Sequence, residues 1–337
     1  SGSLMPSKMK AVVMDGFGPA DVLHMGTVER PVPDDTQVLV QVAATSVNRP
    51  DIVQREGNYP PPPGESDVLG LEIAGTVVEL GKYVTDWHLG DRVVALVGGG
   101  GYAQFATAYA AHLIRIPEPM SFQEAACICE TYITAYLNLF RIAGLRNGQS
   151  VLLHGGGGGV NTAAIHLCHA LTPEVAVIVT ASSGKVERVG ALGVDSVIDY
   201  QQRDFTEEVK QITQGRGVDI ILDHIGAAYL TSNMKALATE GTLVIIGVMS
   251  GARSELNLAA MMVKRQRVVG SVLRPRSISE KAEIIAEFTR AVMPFMASRK
   301  IVPSIHQVLP LGEAAAAHQI MEASMHFGKI VLQVESS

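Results

Sequence analysis

The chain has 337 residues, of which 47% are hydrophobic and 18% are charged, and its formal net charge at pH 7 is −6. This composition excludes a disordered chain, and the length predicts two domains rather than one. An acidic chain without a cluster of lysine and arginine is a poor candidate for binding nucleic acid or an anionic membrane surface, so we expect neither partner.

The first third of the chain is rich in β-branched residues and turn residues. Over residues 9–120, short apolar runs alternate with turns, which is typical of a β-rich domain; the runs are KAVVM, QVLVQVAATSV, EIAGTVVEL and DRVVALV. The sequence YPPPPG at 59–64 is predicted to be a stiff loop, with a polyproline-II ligand for another domain as the alternative. The glycines at 98–101 precede an alternating strand pattern, which predicts a β-turn rather than a phosphate-binding loop.

From about residue 132, strands and helices alternate. Continuous apolar runs indicate parallel strands that helices bury on both faces. We therefore predict an α/β fold with a doubly wound parallel sheet whose ligand crevice lies at the carboxyl ends of its strands. A helix over 278–299 follows, and a closing strand at 328–334 is expected to return to the first domain. The sheet is predicted to have six strands, the first five each followed by a helix, at 150–154, 174–180, 195–200, 218–226, 241–247 and 267–273.

The turn between the first of these strands and its helix reads HGGGGGVNT. The dinucleotide-binding pattern G-x-G-x-x-G, started at Gly156, finds Gly158 but has Asn161 in place of the third glycine. That third glycine normally permits close packing of helix on strand, so we interpret Asn161 as a packing variant. The pyrophosphate is then expected against the backbone of Gly158, Gly159 and Val160 at the helix start. A flexible tether between strand and helix is the alternative.

The end of the second strand of this sheet indicates which dinucleotide binds. An NAD site normally has Asp or Glu there, hydrogen-bonded to a ribose hydroxyl. Here the sequence continues TASSGKVER, and its first acid, Glu187, lies a turn into the helix. Ser182, Ser183 and Lys185 suit the additional phosphate of NADPH, which a carboxylate would repel. The alternative is that a serine merely caps the helix and that Lys185 is solvated.

Cysteine content and hydropathy bear on the compartment. Three cysteines without regular spacing, at 127, 129 and 168, do not form a disulfide framework, so we expect a reducing compartment and assign the cytoplasm. No apolar run approaches the ~18 residues of a membrane span.

The chain resembles the zinc-free quinone oxidoreductase branch of the medium-chain dehydrogenase/reductase superfamily over nearly its whole length. The resemblance rests on VNRPDIVQREGNYPPPPG, LGLEIAGTVVELG, GDRVVAL, TAY, ILDHIG, SVLRPR, AH and the closing GKIVL. It implies a GroES-like domain from residues 9–131 and 276–337, and a Rossmann NADPH-binding domain over 132–275. It also implies an active site in the cleft between them and a homodimer formed mainly through the Rossmann sheets.

The resemblance also implies roles for individual residues. Asn48 and Tyr59 are expected in the cleft as the catalytic pair. Asn48 would donate a hydrogen bond to a substrate oxygen, and Tyr59 would stack on the substrate ring or donate a hydrogen bond. Their alternatives are a turn residue before a helix and a packing residue. The expected cofactor-binding residues are Thr134, Gly156, Gly158, Gly159, Val160, Ser182, Lys185, Tyr200, Ile225, Gly247, Met249, Leu273 and Arg274.

The metal-dependent branch of the superfamily has Cys where this chain has Asn48, and a His-Glu pair where it has Leu71 and Glu72. Leucine cannot ligate zinc, and asparagine is a poor ligand beside thiolate or imidazole, so we expect no metal. Without a Lewis acid the substrate must already be electrophilic, which favours a quinone or a conjugated enone. Two alternatives stay open: an enoyl-thioester reductase, and an NADPH-binding structural or regulatory protein with little turnover.

Overall fold

The computed structural model describes residues 7–335, so the last two residues of the predicted first domain lie outside the described part. The chain forms two compact units. Unit 1 contains the residues up to Ile133 and those from Arg274 onward, and unit 2 runs from Thr134 to Leu273. Each is described by itself.

Unit 1 is the β-rich unit. Strands β1 (Lys8–Met14) and β2 (Leu23–Glu29) form an antiparallel pair, and a larger sheet has the order β14-β15-β3-β4-β5-β7, with β6 paired to β3. The strands of the larger sheet are β3 (Gln37–Ser46), β4 (Glu72–Leu80), β5 (Arg92–Leu96), β6 (Phe105–Tyr109), β7 (Leu113–Arg115), β14 (Ile305–Pro310) and β15 (Lys329–Gln333). Strand β15 lies antiparallel to β3, with Val331 opposite Ser46, so the predicted return of the chain to its first domain is observed.

Helices cover this sheet and link it to the rest of the chain. Their bounds are α1 (Arg49–Arg55), α2 (Phe122–Ala125), α9 (Ile278–Ala297) and α10 (Ala314–Glu322), and α3 (Thr131–Tyr136) spans the change from unit 1 to unit 2. The apolar core of unit 1 is built from alternate residues of β3, β4 and β15, such as Val38, Ile73 and Ile330, all fully buried. The opposite face of these strands is partly apolar as well, since Leu39, Ala74 and Val331 are also fully buried.

Unit 2 is a doubly wound parallel sheet, which confirms the predicted fold class. The strand order is β10-β9-β8-β11-β12-β13, so consecutive strands move outward from β8 and the direction reverses between β8 and β11. The strands are β8 (Ser150–His154), β9 (Ala176–Ala181), β10 (Ser196–Asp199), β11 (Val218–Asp223), β12 (Leu237–Ile245) and β13 (Arg267–Gly270). The helices are α4 (Gly159–Leu171), α5 (Val186–Gly190), α6 (Phe205–Ile212), α7 (Leu230–Ala236) and α8 (Leu258–Lys264), with a π-helical turn at Leu137–Ile142. Ligands of such sheets bind at the carboxyl ends of the strands, where the order reverses.

Several element boundaries differ from the predictions by a few residues, and β12 and α9 are examples. Strand β12 begins at Leu237, four residues before the predicted start, because Leu237 already pairs with Val218 across an irregularity in the ladder. Glu240 within this stretch has a positive φ of 64°. Helix α9 ends at Ala297, and Arg299 then takes a left-handed conformation with φ 65°.

Within residues 7–335, no helix is both long enough and apolar enough to cross a bilayer.

Candidate functional site

Two glycines of the turn after β8 differ in the space beside them: Gly156 is closely packed, and Gly158 is not. Gly155 has φ 77°, which lets the chain turn sharply out of the strand. A Cβ on Gly156 would lie 2.5 Å from Val179 Cγ1, whereas a Cβ on Gly158 would meet only the carbonyl oxygen of Gly155, at 3.5 Å. Gly156 is therefore the close-packing glycine, and Gly158 faces open space. Helix α4 begins one residue later, so its first N–H groups lack helical partners and can bind an anion.

Asn161, interpreted from the sequence as a packing variant, makes hydrogen bonds at the start of α4. Its side chain is 4% exposed. The Nδ2 amide donates to the carbonyl oxygen of Gly155 at 2.9 Å and also to that of His154. The amide thus ties the first turn of α4 to the end of β8, in the place where a glycine would have allowed direct contact. The two carbonyls lie six and seven residues earlier in the chain, so the sequence pattern did not reveal this function of the side chain.

His154 supports the same turn from beneath. Its Nδ1 lies 3.1 Å from Thr180 Oγ1 and its Nε2 lies 2.7 Å from Asn233 Oδ1. The rings of Phe205 and Tyr229 pack edge-on against the imidazole, each with a centroid separation of 4.8 Å. Burial lowers the pKa of His154 to about 4, so the ring is neutral at pH 7. The base of the glycine turn is therefore fixed by packing and hydrogen bonds, unlike a flexible tether.

Ser182 and Lys185 follow β9, and both are half-buried. Burial lowers the pKa of Lys185, and the charge of Arg188 lowers it further, so two cationic side chains lie near each other here. Ser183 Oγ donates to Asp199 Oδ2 at 2.7 Å, and its backbone N–H donates to Gln201. The structure therefore places one carboxylate, that of Asp199 at the end of β10, close to Ser183, although it lies 16 residues further along the chain.

The remaining predicted cofactor residues follow the strands of unit 2, with two exceptions. Thr134 lies on α3, and Arg274 belongs to unit 1 instead of the predicted Rossmann domain. The residues that follow successive strands are Tyr200 after β10, Ile225 after β11, Gly247 and Met249 after β12, and Leu273 after β13.

Arg274 is held within unit 1 by its own hydrogen bonds. Its Nε and one terminal nitrogen donate to the carbonyl oxygen of Gly98, at 3.1 and 2.6 Å, and that nitrogen also donates to Gln54 Oε1 at 2.9 Å. The guanidinium lies over the ring of Tyr59, 5.1 Å from its centroid. Burial raises the pKa of Tyr59, although the charge of Arg274 opposes that shift. Tyr59 is thus a half-buried neutral phenol beneath a cation.

Asn48 lies in a fully buried charged cluster. Lys329 Nζ donates to Asn48 Oδ1 at 2.6 Å and to Glu72 Oε2 at 3.2 Å, while Asn48 Nδ2 donates to the same Glu72 oxygen at 2.8 Å. Asn48 is 4% exposed. Both heavy atoms of its amide therefore have partners, and only the second hydrogen of Nδ2 is left for a substrate. Lys329, 281 residues from Asn48 in the chain, was not singled out from the sequence.

A second buried network lies on the other side of α1. Asp51 accepts hydrogen bonds from the Tyr102 hydroxyl at 3.0 Å and from the N–H groups of Asn48 and Gly70. The Tyr102 oxygen lies 3.0 Å from His318 Nε2, and His318 Nδ1 lies 2.9 Å from Arg55. Burial raises the pKa of Asp51 to about 6, and these hydrogen bonds limit the rise. The network anchors the start of α1, and with it Asn48, against α10.

Within residues 7–335, no group of three or more His, Cys, Asp or Glu side chains is arranged to hold a metal ion. The cysteines at 127, 129 and 168 are buried, and burial raises the pKa of each thiol.

Comparison with known proteins assigns the chain to a family. Residues 34–118 match the alcohol dehydrogenase GroES-like domain, and residues 192–332 match a domain described as zinc-binding dehydrogenase. A mouse protein named synaptic vesicle membrane protein VAT-1 homolog-like is 33% identical, over 98% of this chain and 82% of its own. The chain belongs to the medium-chain dehydrogenase/reductase superfamily. The resemblance predicted from the sequence motifs is confirmed.

Other members of the superfamily match equally completely. The quinone oxidoreductase of Lama guanicoe is 30% identical, over 96% of this chain and 97% of its own. A mycobacterial structure solved as a complex with NADPH is 28% identical, with a TM-score of 0.87 over 96% of this chain and all of that one. This chain is therefore an oxidoreductase of a dehydrogenase/reductase family that requires a nicotinamide cofactor.

Proposed function

We propose that this protein is an NADPH-dependent, metal-independent reductase of quinones or conjugated enones. The observation that carries the proposal is Lys329, whose ammonium is hydrogen-bonded to both Asn48 and Glu72. Three residues of this chain stand where the metal-dependent branch has zinc ligands or their neighbours. Asn48 and Glu72 both bind the buried ammonium of Lys329, and Leu71 has no atom that can ligate a metal. A divalent ion at this point would face the lysine charge. Electrophilic substrates that need no Lewis acid fit this arrangement.

The cofactor would be held at the carboxyl edge of the sheet of unit 2. The open space beside Gly158 and the N–H groups at the start of α4 fit a pyrophosphate, and Asn161 holds the turn in shape. Lys185 would bind the phosphate that distinguishes NADPH from NADH. When bound, the cofactor supplies a hydride.

The substrate would be bound by residues of unit 1. Tyr59 offers a ring face and a neutral hydroxyl, and Arg274 keeps that ring in place from the other side. The free hydrogen of Asn48 Nδ2 would donate to a substrate oxygen that gains negative charge during reduction. Because Lys329 and Glu72 hold the amide, its orientation is set before the substrate binds.

We also propose a homodimer through unit 2. Strand β13 pairs on one side with β12, and no other strand within residues 7–335 pairs with it. Exposed apolar side chains lie nearby on α8 and after β13, with Met262 76%, Val263 78% and Val272 53% exposed. An unpaired edge beside apolar surface is suited to pairing with a second copy. Light scattering should give twice the chain mass, and a monomer at micromolar concentration would reject the dimer.

The test is an NADPH-oxidation assay with an ortho-quinone, a para-quinone, a cyclic enone and an enoyl thioester, run with and without a chelator. We expect turnover of a quinone or the enone that survives chelation. Lys185→Ala should weaken NADPH binding about 10- to 100-fold, from the loss of about 1.5–3 kcal/mol, and leave NADH binding nearly unchanged. Lys235→Ala, which removes an exposed lysine on another helix of unit 2, is the matched control.

Each part of the proposal has its own contrary result. Turnover of the enoyl thioester alone would identify an enoyl reductase, and tight NADPH binding without turnover would indicate a binding protein. About one zinc per chain in elemental analysis would reject the metal-independent mechanism. Equal losses for NADPH and NADH in Lys185→Ala would show that this lysine does not contact the distinguishing phosphate.

A further inference from the structure

The loops that follow β9 and β10 are joined by side chains that the proposed function has not used. Ser183 Oγ donates to Asp199 Oδ2 at 2.7 Å, and the backbone N–H of Ser183 donates to Gln201 Oε1 at 2.9 Å. The backbone N–H of Gln201 in turn donates to Asp199 Oδ1 at 3.0 Å. These three residues therefore form a closed ring of hydrogen bonds, which we call the clasp.

The clasp continues the pairing of the two strands beyond their last residues. Asp199 is the last residue of β10 and lies opposite Ala181, the last residue of β9. The N–H of Tyr200 donates to the carbonyl oxygen of Ala181 at 3.2 Å, so the two chain segments stay together beyond the ladder. Ser183 is exposed, and a loop in water would otherwise sample many conformations. The clasp thus fixes the first residues after β9.

Both hydrogen-bond donors of Ser183 are used within the clasp. A serine hydroxyl has a single proton, and that of Ser183 is donated to the Asp199 carboxylate. The phosphate of NADPH offers mainly acceptors at pH 7, so it gains nothing from the lone pairs that remain on Ser183 Oγ. Ser183 suits this phosphate by residue type, but its contacts in the structure are made to the loop after β10.

Ser182 and Lys185, on either side of the clasp serine, carry groups that suit a phosphate. Ser182 precedes a 3₁₀ turn over Ser183–Lys185, and its hydroxyl makes no capping hydrogen bond with that turn. The N–H of Lys185 donates to the carbonyl oxygen of Ser182 at 2.9 Å, so both side chains belong to one short turn. A Cβ on Gly184 would meet no atom within 4 Å, which leaves open space beside the turn.

We propose that Asp199 is a positioning residue for NADPH and that it acts through Ser183. By holding Ser183, the carboxylate keeps the turn in the shape in which Ser182 and Lys185 bind the phosphate that distinguishes NADPH from NADH. A preorganised turn loses less conformational entropy on binding, so the clasp strengthens NADPH binding although Asp199 carries the same sign of charge as the phosphate. The inference rests on the proposed function, since it requires Lys185 to bind that phosphate.

The experiment compares wild type with Ser183→Ala, Asp199→Ala and the double variant Ser183→Ala/Asp199→Ala. The control Glu187→Ala removes an exposed carboxylate on α5, two residues after Lys185, and corrects for the loss of one negative charge near this loop. Affinities for NADPH and NADH are measured by fluorescence titration, and folding by circular dichroism. Hydrogen exchange of the cofactor-free proteins, followed by mass spectrometry, reports the N–H groups of the loop after β9.

We expect each single variant to weaken NADPH binding about 3- to 10-fold, the value of one hydrogen bond, and to leave NADH binding and folding unchanged. The double variant should bind NADPH no more weakly than either single variant, because the two side chains act as one unit. The N–H groups of the loop should exchange faster in all three variants than in wild type or Glu187→Ala.

Losses of NADPH affinity that multiply in the double variant would overturn the inference, because Ser183 and Asp199 would then act independently. Tighter NADPH binding by Asp199→Ala than by Glu187→Ala would also overturn it, since the carboxylate would then repel the phosphate. Equal losses for NADPH and NADH, or unchanged exchange, would exclude a clasp that serves the phosphate. In each of these cases the proposed function stands. A wild type that binds NADH as tightly as NADPH rejects the cofactor specificity of the proposed function, and the positioning by Asp199 with it.

Discussion

The buried pair of Lys329 and Glu72 offers the sharpest test of the reasoning about unit 1. Their side chains are 4% and 1% exposed. Lys329→Met keeps the length of the side chain and removes the ammonium, which leaves the carboxylate without its only cationic partner in the cluster. Removing one partner of a buried ion pair typically costs about 3–5 kcal/mol.

The structure sets the expected cost at the lower end of that range. Glu72 would keep three donors: Ser46 Oγ at 3.0 Å, Asn48 Nδ2 at 2.8 Å and the N–H of Glu130 at 3.2 Å. These hydrogen bonds partly stabilise the remaining charge, so we expect Lys329→Met to lower the free energy of unfolding by about 3 kcal/mol. The double variant Lys329→Met/Glu72→Gln removes both charges. Its loss of unfolding free energy should be smaller than the sum of the losses of the two single variants by at least about 1.5 kcal/mol.

The assay is urea unfolding followed by tryptophan fluorescence. Trp87 is the only tryptophan of the chain, and its indole N–H donates to Ala110 in unit 1, so the signal reports that unit. This choice matters because two-domain proteins need not unfold in one step. Lys82→Met, at an exposed lysine of unit 1, is the matched control and should change stability by no more than about 0.5 kcal/mol. A loss below about 1 kcal/mol for Lys329→Met, or strictly additive losses in the double variant, would refute the account of the cluster.

Three further predictions concern unit 2. Gly158→Val should abolish NADPH binding at unchanged melting temperature, because its Cβ enters the open space proposed for the pyrophosphate. Gly156→Val should lower the melting temperature, because its Cβ lies 2.5 Å from Val179 Cγ1. Normal binding of NADPH by Gly158→Val would contradict the assignment of the turn as the pyrophosphate site. Asn161→Ala should lower the free energy of unfolding by about 1–3 kcal/mol and weaken NADPH binding, since two carbonyls lose their hydrogen-bond donor. Unchanged stability and NADPH affinity would instead support a role of residue 161 in packing alone. His154 has a pKa of about 4 in the folded state and 6.5 as a free side chain. As pH falls, the unfolded chain therefore binds a proton at this residue before the folded chain does. The contribution of His154 to the free energy of unfolding is complete above pH 6.5 and decreases towards pH 4. The unfolding free energy of His154→Gln, followed by circular dichroism, should therefore decline less between pH 7 and 4.5 than that of wild type, and parallel declines would exclude His154 as the source.

Much of unit 2 could be predicted because its strands are local and buried on both faces. A parallel strand covered by helices must be apolar throughout, so segments such as VLL at 151–153 stand out from the helices that follow them. Boundaries were less accurate. The start of β12 at Leu237 depends on pairing with Val218, and the residue types around Glu240 do not indicate that pairing.

The sequence by itself determined the order of strands and helices and the glycine turn between β8 and α4. It also determined that no thiolate or imidazole stands at the positions where the metal-dependent branch has its Cys and His ligands. Each of these depends on residue type and near spacing. Tertiary structure alone decided that the ammonium of Lys329 reaches Asn48, that Arg274 lies over Tyr59, and that Asn161 bonds to the end of β8. Such contacts depend on the direction of side chains from elements that only the fold brings together.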